Sequence, residues 1–274
     1  MTAERSALLQ KSGPVGGRAV AFVASEARSA AAATGLVPSS TSVVPSHPGN
    51  ALLHEIDRHK SRAVRMRKSI LTGARLLVEE GQRGGFRGRW AMLTATYRNE
   101  GAWEPKHVSV LRQRVFEWLK RRGVKARFVW CLELTRKLVP HYHFLIWLPR
   151  GLTIPKPDKQ GWWPWGMTRV EWARRAVGYV AKYASKATPE AFAAMPKGAR
   201  THGVGGLTGE GARQLRWWKA PTFSRDALGP DADIRKVVGG YVDKCCGLFL
   251  RSPWHVVIGD RGRVFAWRDD LCEC

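Results

Sequence analysis

The spacing of hydrophobic and polar residues predicts four regular elements in the middle of the chain. Residues 90–97 alternate between apolar and polar side chains, as a half-buried strand does. Residues 106–122 have the periodicity of an amphipathic helix. The apolar segments 128–134 and 141–148 are separated by a short turn, and they predict two further strands that pair as a hairpin.

The C-terminal half gives more mixed signals. The sequence Thr168-Arg-Val-Glu171 has the form of a capping box and predicts a helix that runs to about Lys186. Residues 198–211 are rich in glycine and predict a loop. Further segments predict a strand at 213–219, a helix at 231–246 and a hairpin of 254–258 with 263–267. The order β-α-β-β-α is typical of the α+β class, with an antiparallel sheet and helices on one face.

The first 87 residues divide into two segments of different composition. Residues 1–49 are rich in Ala, Ser, Gly, Pro and Val, and they predict a disordered low-complexity tail or a misassigned start. Residues 50–87 predict a basic segment, helical over 51–80, whose charges fit either a solvated face or a phosphate-contacting helix. Residues 88–274 then form the main domain, with the hairpin as a C-terminal extension.

The charge balance narrows the class of partner. The 274 residues carry 46 Lys and Arg against 22 Asp and Glu, a formal net charge of +24, which indicates a polyanionic partner. Thirteen tryptophans among so many basic residues suit single-stranded nucleic acid. No apolar run approaches the roughly 18 residues of a membrane span, and no secretory signal opens the chain. Five cysteines, an odd number, fit a reducing compartment. We therefore expect a protein of a bacterial-type cytoplasm, with neither a membrane nor a small-molecule partner.

Two histidines and a glutamate form a candidate metal cluster. His141 and His143 are two residues apart on a predicted strand, so their side chains leave the same face. Glu133, on the neighbouring strand, reaches that face if the hairpin register permits. Such a set leaves open positions on a divalent metal ion for a substrate oxygen and water. Taken alone, two histidines on a strand are more often structural or solvated.

Two tyrosines and two lysines repeat at helical spacing further along. Tyr179 and Tyr183 are four residues apart, as are Lys182 and Lys186 beside them. A phenolate is a good nucleophile toward a phosphodiester, and we expect a nearby ammonium to lower its pKa. The alternative is an aromatic pair that packs against the sheet.

Together these motifs resemble a known family. His141-Tyr-His143, followed by Tyr179-Val-Ala-Lys-Tyr-Ala-Ser-Lys186, resembles motifs 2 and 3 of rolling-circle replication initiators in the HUH endonuclease superfamily. The segment Leu93-Thr-Ala-Thr-Tyr97 resembles motif 1. The double-tyrosine spacing resembles that of the initiators of single-stranded DNA phages. The stretch from about Trp90 to Gly211 is most similar to the replication proteins of filamentous phages and related prophages.

The resemblance implies a fold, a site and a reaction. It implies the HUH fold, with about five antiparallel strands flanked by helices. It also implies that Glu133, His141 and His143 bind Mg²⁺ or Mn²⁺. Tyr179 or Tyr183, assisted by Lys182 and Lys186, then attacks single-stranded or hairpin origin DNA. A 5′-phosphotyrosine link and a free 3′-OH result, and the strand is later rejoined. No helicase motif is present in the sequence, so a host helicase and DNA polymerase are the expected partners.

Two other functions fit parts of the sequence. A transposase or relaxase of the same superfamily shares the chemistry, but relaxases place the tyrosine before the histidines, and single-tyrosine transposases lack the second tyrosine. A non-enzymatic DNA-binding regulator, from a different class, explains the charge and the tryptophans. It gives no reason for the histidines, the glutamate and the two tyrosines to occur together.

Several residues are candidate DNA contacts. Thr94 and Thr96 lie on the polar side of the first strand. Five tryptophans are candidates for stacking on unpaired bases, with a small core beneath a long loop as the alternative; they are Trp162, Trp163, Trp165, Trp217 and Trp218.

Overall fold

The computed structural model describes residues 53–268, which contain six α-helices and eleven strands. The helices are α1 (Arg58–Arg83), α2 (His107–Lys120), α3 (Ala176–Ser185), α4 (Pro189–Ala193), α5 (Gly209–Lys219) and α6 (Thr222–Leu228). The strands are β1 (His54–Glu55), β2 (Gly88–Tyr97), β3 (Phe128–Leu134), β4 (Pro140–Pro149), β5 (Gly166–Ala173), β6 (His202–Gly205), β7 (Ile234–Val237), β8 (Gly240–Asp243), β9 (Phe249–Arg251), β10 (Trp254–Ile258) and β11 (Val264–Arg268). The predicted tail, residues 1–49, lies outside the described residues, and the domain boundaries stay a prediction.

A five-stranded antiparallel sheet forms the centre of the fold. Its strand order is β5-β2-β4-β3-β6, and every neighbouring pair is antiparallel. This confirms the α+β class and the predicted strands within 90–97, 128–134 and 141–148. The hairpin of β3 and β4 has the register that the candidate cluster requires, because Glu133 lies directly opposite His141.

Helices cover both faces of this sheet, so the prediction of helices on one face is wrong. On the first face α2 packs over Leu93, Ala95, Trp130, Leu132 and Phe144. On the second face α1, α3 and α4 pack over Met92, Val129, Cys131 and Leu145. The central strands are apolar at both alternating positions, and a sheet with two apolar faces needs a covering layer on each side.

The predicted capping box at Thr168 is also wrong. Residues 166–173 form β5, which pairs with the free edge of β2, and α3 begins only at Ala176. The Thr168 hydroxyl donates to the carboxylate of Asp158, so it caps no helix. Backbone pairing along β2 satisfies eight residues at once, and this long-range contact overrides the local signal.

Three further segments differ from their predictions. The predicted loop at 198–211 contains β6, which extends the central sheet, and the start of α5. The predicted strand at 213–219 belongs to α5, whose N-cap Thr208 accepts a hydrogen bond from the Gly211 amide. The predicted helix at 231–246 is instead the hairpin of β7 and β8, which turns at Gly239 with a φ of 77°. The predicted C-terminal hairpin is confirmed as β10 and β11.

The long helix α1 begins later than predicted and lies within the fold. Its N-cap is Asp57, whose carboxylate accepts from the backbone amides of His59 and Lys60. Ala51 and Leu52, included in the predicted helix, lie outside the described residues. The apolar face of α1 is buried against the second face of the sheet. No helix among residues 53–268 is long and apolar enough to span a membrane.

A buried carboxylate joins α1 to two distant segments. Glu80 Oε2 accepts a hydrogen bond from Arg127 Nη1 at 2.9 Å, at the entry to β3. Its other oxygen accepts from the amide of Thr208 at 3.0 Å and from the hydroxyl of that residue at 2.6 Å. Both Glu80 and Arg127 are buried. Gly211 packs so closely that an added Cβ would lie 2.0 Å from Glu80 Oε1. Glu80 therefore holds α1, β3 and the start of α5 together.

Replacing Glu80 with Gln should lower the free energy of unfolding by about 3–5 kcal/mol, because Arg127 is left as a buried charge without its partner. Denaturant unfolding followed by circular dichroism measures the change. The matched control is Glu79→Gln, because Glu79 forms an exposed ion pair with Arg75 at 3.5 Å and should contribute less than about 1 kcal/mol. Equal stability of the two variants would contradict the assigned role of Glu80.

Candidate active site

Two neighbouring strands bring the predicted metal cluster onto one face of the sheet. Glu133 on β3 pairs with His141 on β4, and Cys131 pairs with His143. Residues directly opposite each other across an antiparallel pair lie on the same face. All four side chains therefore face the layer that contains α3, where the two predicted tyrosines lie.

His143 is the point at which the cluster converges. Its ring is 7% exposed, and its Nε2 atom lies 3.1 Å from Glu133 Oε2. This is an ion-pair contact, and among residues 53–268 the buried Nε2 has no hydrogen-bond partner of good geometry. On the other side of the ring, Nδ1 lies 3.1 Å from the Thr94 hydroxyl. The ring also stacks on Tyr183, with centroids 3.8 Å apart and planes inclined by 20°.

His141 is held in a similar way, at a greater distance. Its Nδ1 atom lies 3.4 Å from the Thr96 hydroxyl, and its ring centroid is 6.2 Å from that of His143. Burial lowers the pKa of His141, and the neighbouring His143 lowers it further. A neutral imidazole is the form that coordinates metal ions.

Glu133 takes part in a second contact from the helical side. The Lys186 ammonium, just after α3, forms an ion pair with Glu133 Oε1. Burial by itself raises the pKa of Glu133, but the contacts with His143 and Lys186 outweigh it and hold the pKa at about 2. The carboxylate is thus an anion at neutral pH, balanced by the tethered cation of Lys186.

The two tyrosines lie on the face of α3 that packs against the sheet. Both are half-buried against the second core, one helical turn apart. Burial raises the pKa of Tyr183 to about 12, and the Glu133 carboxylate adds to this. The expected lowering by lysine is therefore wrong for Tyr183. Lys182 Nζ and Lys186 Nζ lie 6.0 and 5.8 Å from its ring centroid, and these two cations do not outweigh the burial.

Part of the cluster has the spacing of metal ligands. Neighbouring ligands of an octahedral Mg²⁺ ion lie about 3.0 Å apart, given metal–oxygen distances of about 2.1 Å. Glu133 Oε2 and His143 Nε2 are separated by 3.1 Å, and Nε2 is a buried atom that has no hydrogen-bond partner in the described part of the chain. These two donors fit a divalent ion. Within residues 53–268 no three His, Cys, Asp or Glu side chains are already assembled around one point. His141 shares the face without completing the set.

The tryptophans divide between the core and the surface. Trp163 is fully buried, and its indole N–H donates to the Thr96 carbonyl at 3.0 Å. Trp162 and Trp165 pack partly buried on the same first-face core, and Trp165 stacks on His107. These positions favour the small core beneath a loop over base stacking for the three residues. On α5, Trp217 is half-buried and Trp218 is 36% exposed, so stacking by Trp218 stays a prediction.

One comparison with known proteins finds a match. Residues 90–188 match the model of a family described as replication-associated protein ORF2. The match associates the chain with DNA replication. It is consistent with a phage replication protein, and it covers about a third of the sequence, including Glu133, both histidines and both tyrosines. No curated protein and no solved structure matches this chain.

Sequence reasoning missed two features of the site. Thr94 and Thr96, predicted as DNA contacts, lie directly opposite His143 and His141 and hydrogen-bond to their rings. The alternation of β2 carried this signal, but the register with β4 was needed to interpret it. Arg169 and Glu171 form an ion pair at 2.6 Å on β5, opposite Thr94 and Met92 on the same face. The wrong helix prediction hid both of them.

Replacing Thr94 with Val should weaken Mn²⁺ binding about 10- to 100-fold, because a ligand histidine that loses the partner of its second nitrogen is less well oriented. Calorimetric titration of the full chain with Mn²⁺ measures the affinity. Thr201→Val is the matched control, since the Thr201 hydroxyl contacts the His202 ring at 3.0 Å outside the cluster. Unchanged Mn²⁺ affinity in the Thr94 variant would contradict a role for Thr94 in orienting the His143 ring.

Proposed function

We propose that this protein is a replication initiator that nicks single-stranded DNA at an origin by tyrosine transesterification, in the manner of HUH endonucleases. The coarser statement, an association with DNA replication, comes from the family match over residues 90–188. The reaction, the residues that carry it and the metal ion are the proposal. They draw their support from the contacts around His143.

One observation carries the proposal. The ring of His143 touches a carboxylate at its Nε2 edge and a tyrosine ring on its face, at 3.1 Å to Glu133 and 3.8 Å between centroids to Tyr183. A structural histidine in a core needs no anionic neighbour and no adjacent nucleophile. Here a phenol and a carboxylate lie against one imidazole, with a lysine ammonium beside them, and this combination supports a role in phosphodiester cleavage.

The proposed step is a transesterification at one phosphodiester bond of the DNA. The phenolic oxygen of a tyrosine attacks the scissile phosphorus and loses its proton to solvent. The bond from phosphorus to the 3′ oxygen breaks as the bond to tyrosine forms, and the leaving oxygen takes up a proton to become the 3′-OH. The phosphotyrosine link keeps the energy of the diester, so rejoining needs no further cofactor.

The remaining residues have supporting roles. Glu133, His141 and His143 would hold a Mg²⁺ or Mn²⁺ ion, which supplies Lewis-acid polarisation of the scissile phosphate when bound. Lys186 is placed to neutralise negative charge near Tyr183, at 5.8 Å from its ring centroid, and Lys182 lies at a similar distance. Thr94 and Thr96 position the two histidines. The 3′-OH then primes a host polymerase, and a host helicase unwinds the duplex.

Both tyrosines are proposed to act. Ending a replication round requires a second attack while the first tyrosine still holds DNA. Tyr179 lies one turn from Tyr183 on the buried side of α3, so either phenol is directed to the same part of the sheet. Tyr183 stacks on His143 and is therefore the better candidate for the first cleavage.

Nicking should depend on a divalent cation and stop when a chelator is added. The double variant His141→Ala/His143→Ala should lose cleavage but keep salt-sensitive DNA binding, because phosphate contacts come from the wider basic surface. A denaturing gel of labelled single-stranded origin DNA measures cleavage, and a filter assay measures binding. The control is His54→Ala/His59→Ala, which changes two histidines of other elements. Full activity in EDTA would contradict the metal assignment.

The tyrosines are tested by removing single oxygen atoms. Each of Tyr179→Phe and Tyr183→Phe should still form some covalent protein–DNA adduct, the double variant none, and strand circularisation should fall in both single variants. Adducts appear as shifted bands on a denaturing protein gel with labelled oligonucleotide. Tyr142→Phe is the matched control, because its ring is buried on the other face. If one single variant abolishes every adduct and the other matches the wild type, only one tyrosine acts.

A further inference from the structure

A basic cleft lies outside the segment that the family model matches. It opens between α1, the end of α5 and the β7–β8 hairpin, and its volume is about 540 Å³. Six cationic side chains line it, and the lining contains no Asp or Glu; the six are Arg65, Lys68, Arg216, Lys219, Arg235 and Lys236. None of them lies within residues 90–188, so the match to the replication-associated family does not account for this cleft.

The positive charge of the cleft is only partly balanced. Arg216 and Arg235 share the single carboxylate of Asp233, at 2.6 and 3.2 Å. Arg65, Lys219 and Lys236 have no ion-pair partner in the part of the chain that the structure describes, and their side chains are exposed. Like charges held this closely repel one another, and an anion bound among them would relieve the repulsion.

One partly buried cation of the cleft, Lys68, and one beside it, Arg225, add to this imbalance. Burial lowers the pKa of Lys68, and the charge of Arg225 lowers it further. Arg225 does not itself line the cleft: its guanidinium lies over Trp217 and Trp218, and its Nη2 atom donates to the Thr222 hydroxyl at 3.3 Å. Its charge adds to the positive potential beside Lys68, and charged donors at a basic cleft suit phosphate oxygens.

The lining of the cleft favours a single strand over a duplex. Its volume of about 540 Å³ accommodates a nucleotide or two. Tyr241 lines the cleft among the cations, and the exposed Trp218 lies on α5 nearby in sequence. Aromatic side chains between positive charges are typical of proteins that bind unpaired bases.

The cleft also lies on the candidate-site side of the sheet. Cys131 is paired with both His143 and His202, so His202 lies on the same face, two strands from the cluster, which is about 10 Å. Burial lowers the pKa of His202 to about 4, and the charges of Lys219 and Arg65 contribute, which places these two cleft residues near β6. A strand at the cluster would reach the cleft within several nucleotides.

We infer that this cleft is a second nucleic-acid site, which binds the backbone phosphates of single-stranded DNA away from the cleavage cluster. In this site the cationic side chains bind phosphate oxygens, and this binding does not depend on the nicking reaction. It would retain a strand near the cluster independently of the metal ion and the tyrosines. A free inorganic phosphate shares the same chemistry, and the experiment separates the two ligands.

The test is the full chain with Arg65→Gln, Lys219→Gln and Lys236→Gln together. Fluorescence anisotropy with a labelled 30-nucleotide single strand should show binding about ten-fold weaker or more at moderate salt. The slope of log affinity against log salt should fall by about 2, since each lost phosphate contact removes about 0.7. The titrations are carried out in EDTA, without a divalent cation for nicking, so failure of the nicking proposal leaves this result untouched.

The matched control removes three cations from the other side of the sheet, by Lys120→Gln, Arg121→Gln and Lys125→Gln at the end of α2 and just beyond it. The net charge changes equally, and circular dichroism checks that both variants fold. Equal affinity and equal salt slope in the two variants would overturn the inference, because only bulk charge would then matter. Displacement of the strand by a few millimolar inorganic phosphate at constant ionic strength would overturn it too, showing a free-anion site. An equal loss of affinity for a 30-base-pair duplex would exclude the single-strand assignment.

Discussion

The register between β3 and β4 is the constraint on which the candidate site depends. Side chains alternate along a strand, so a slip of one residue would send Glu133 to the face opposite His141 and His143. The hydrophobic pattern prevents that slip. Trp130, Leu132 and Phe144 would have to leave the first core if the polar residues exchanged faces. The same burial that stabilises the sheet therefore fixes which side of it carries the polar cluster.

Ion pairs connect the helices to the sheet. The Glu133 carboxylate is not left bare, because Lys186 balances it from the end of α3, and this ion pair brings the helix and the strand together. At the other end of the fold, Glu80 pairs with Arg127 in a buried setting and accepts from Thr208. Lys and Arg outnumber Asp and Glu by 24 in the whole chain. Glu80 and Glu133 each pair with one of these cations and so hold its side chain in a defined position.

The sequence predicted the centre of the fold well and its periphery poorly, for physical reasons. Strands 90–97, 128–134 and 141–148 have strong alternation or continuous apolar runs, and their hairpin turn is local. They placed Glu133 on the face of His141 only on the condition of a suitable hairpin register, and the structure supplies that register. The error at Thr168 arose because its capping pattern is a local preference, whereas β5 exists through pairing with an edge about 70 residues away. The hairpin of β7 and β8 was missed since short strands with mixed polarity have no clear period. The partnership of Thr94 and Thr96 with the histidines needed a register that no single segment encodes.

Tyr142 shows how close the two faces of the sheet are to each other. It lies between His141 and His143 in the sequence, so its ring points the other way, into the first core, where it is fully buried. There its hydroxyl accepts from the Trp103 indole at 2.9 Å, and its ring meets Trp130 and Trp163 edge-on. The aromatic layer and the polar cluster are thus separated by the thickness of one peptide backbone. A substitution among these tryptophans would therefore act on the same strand that carries the two imidazoles, although no tryptophan of this group lies on their face.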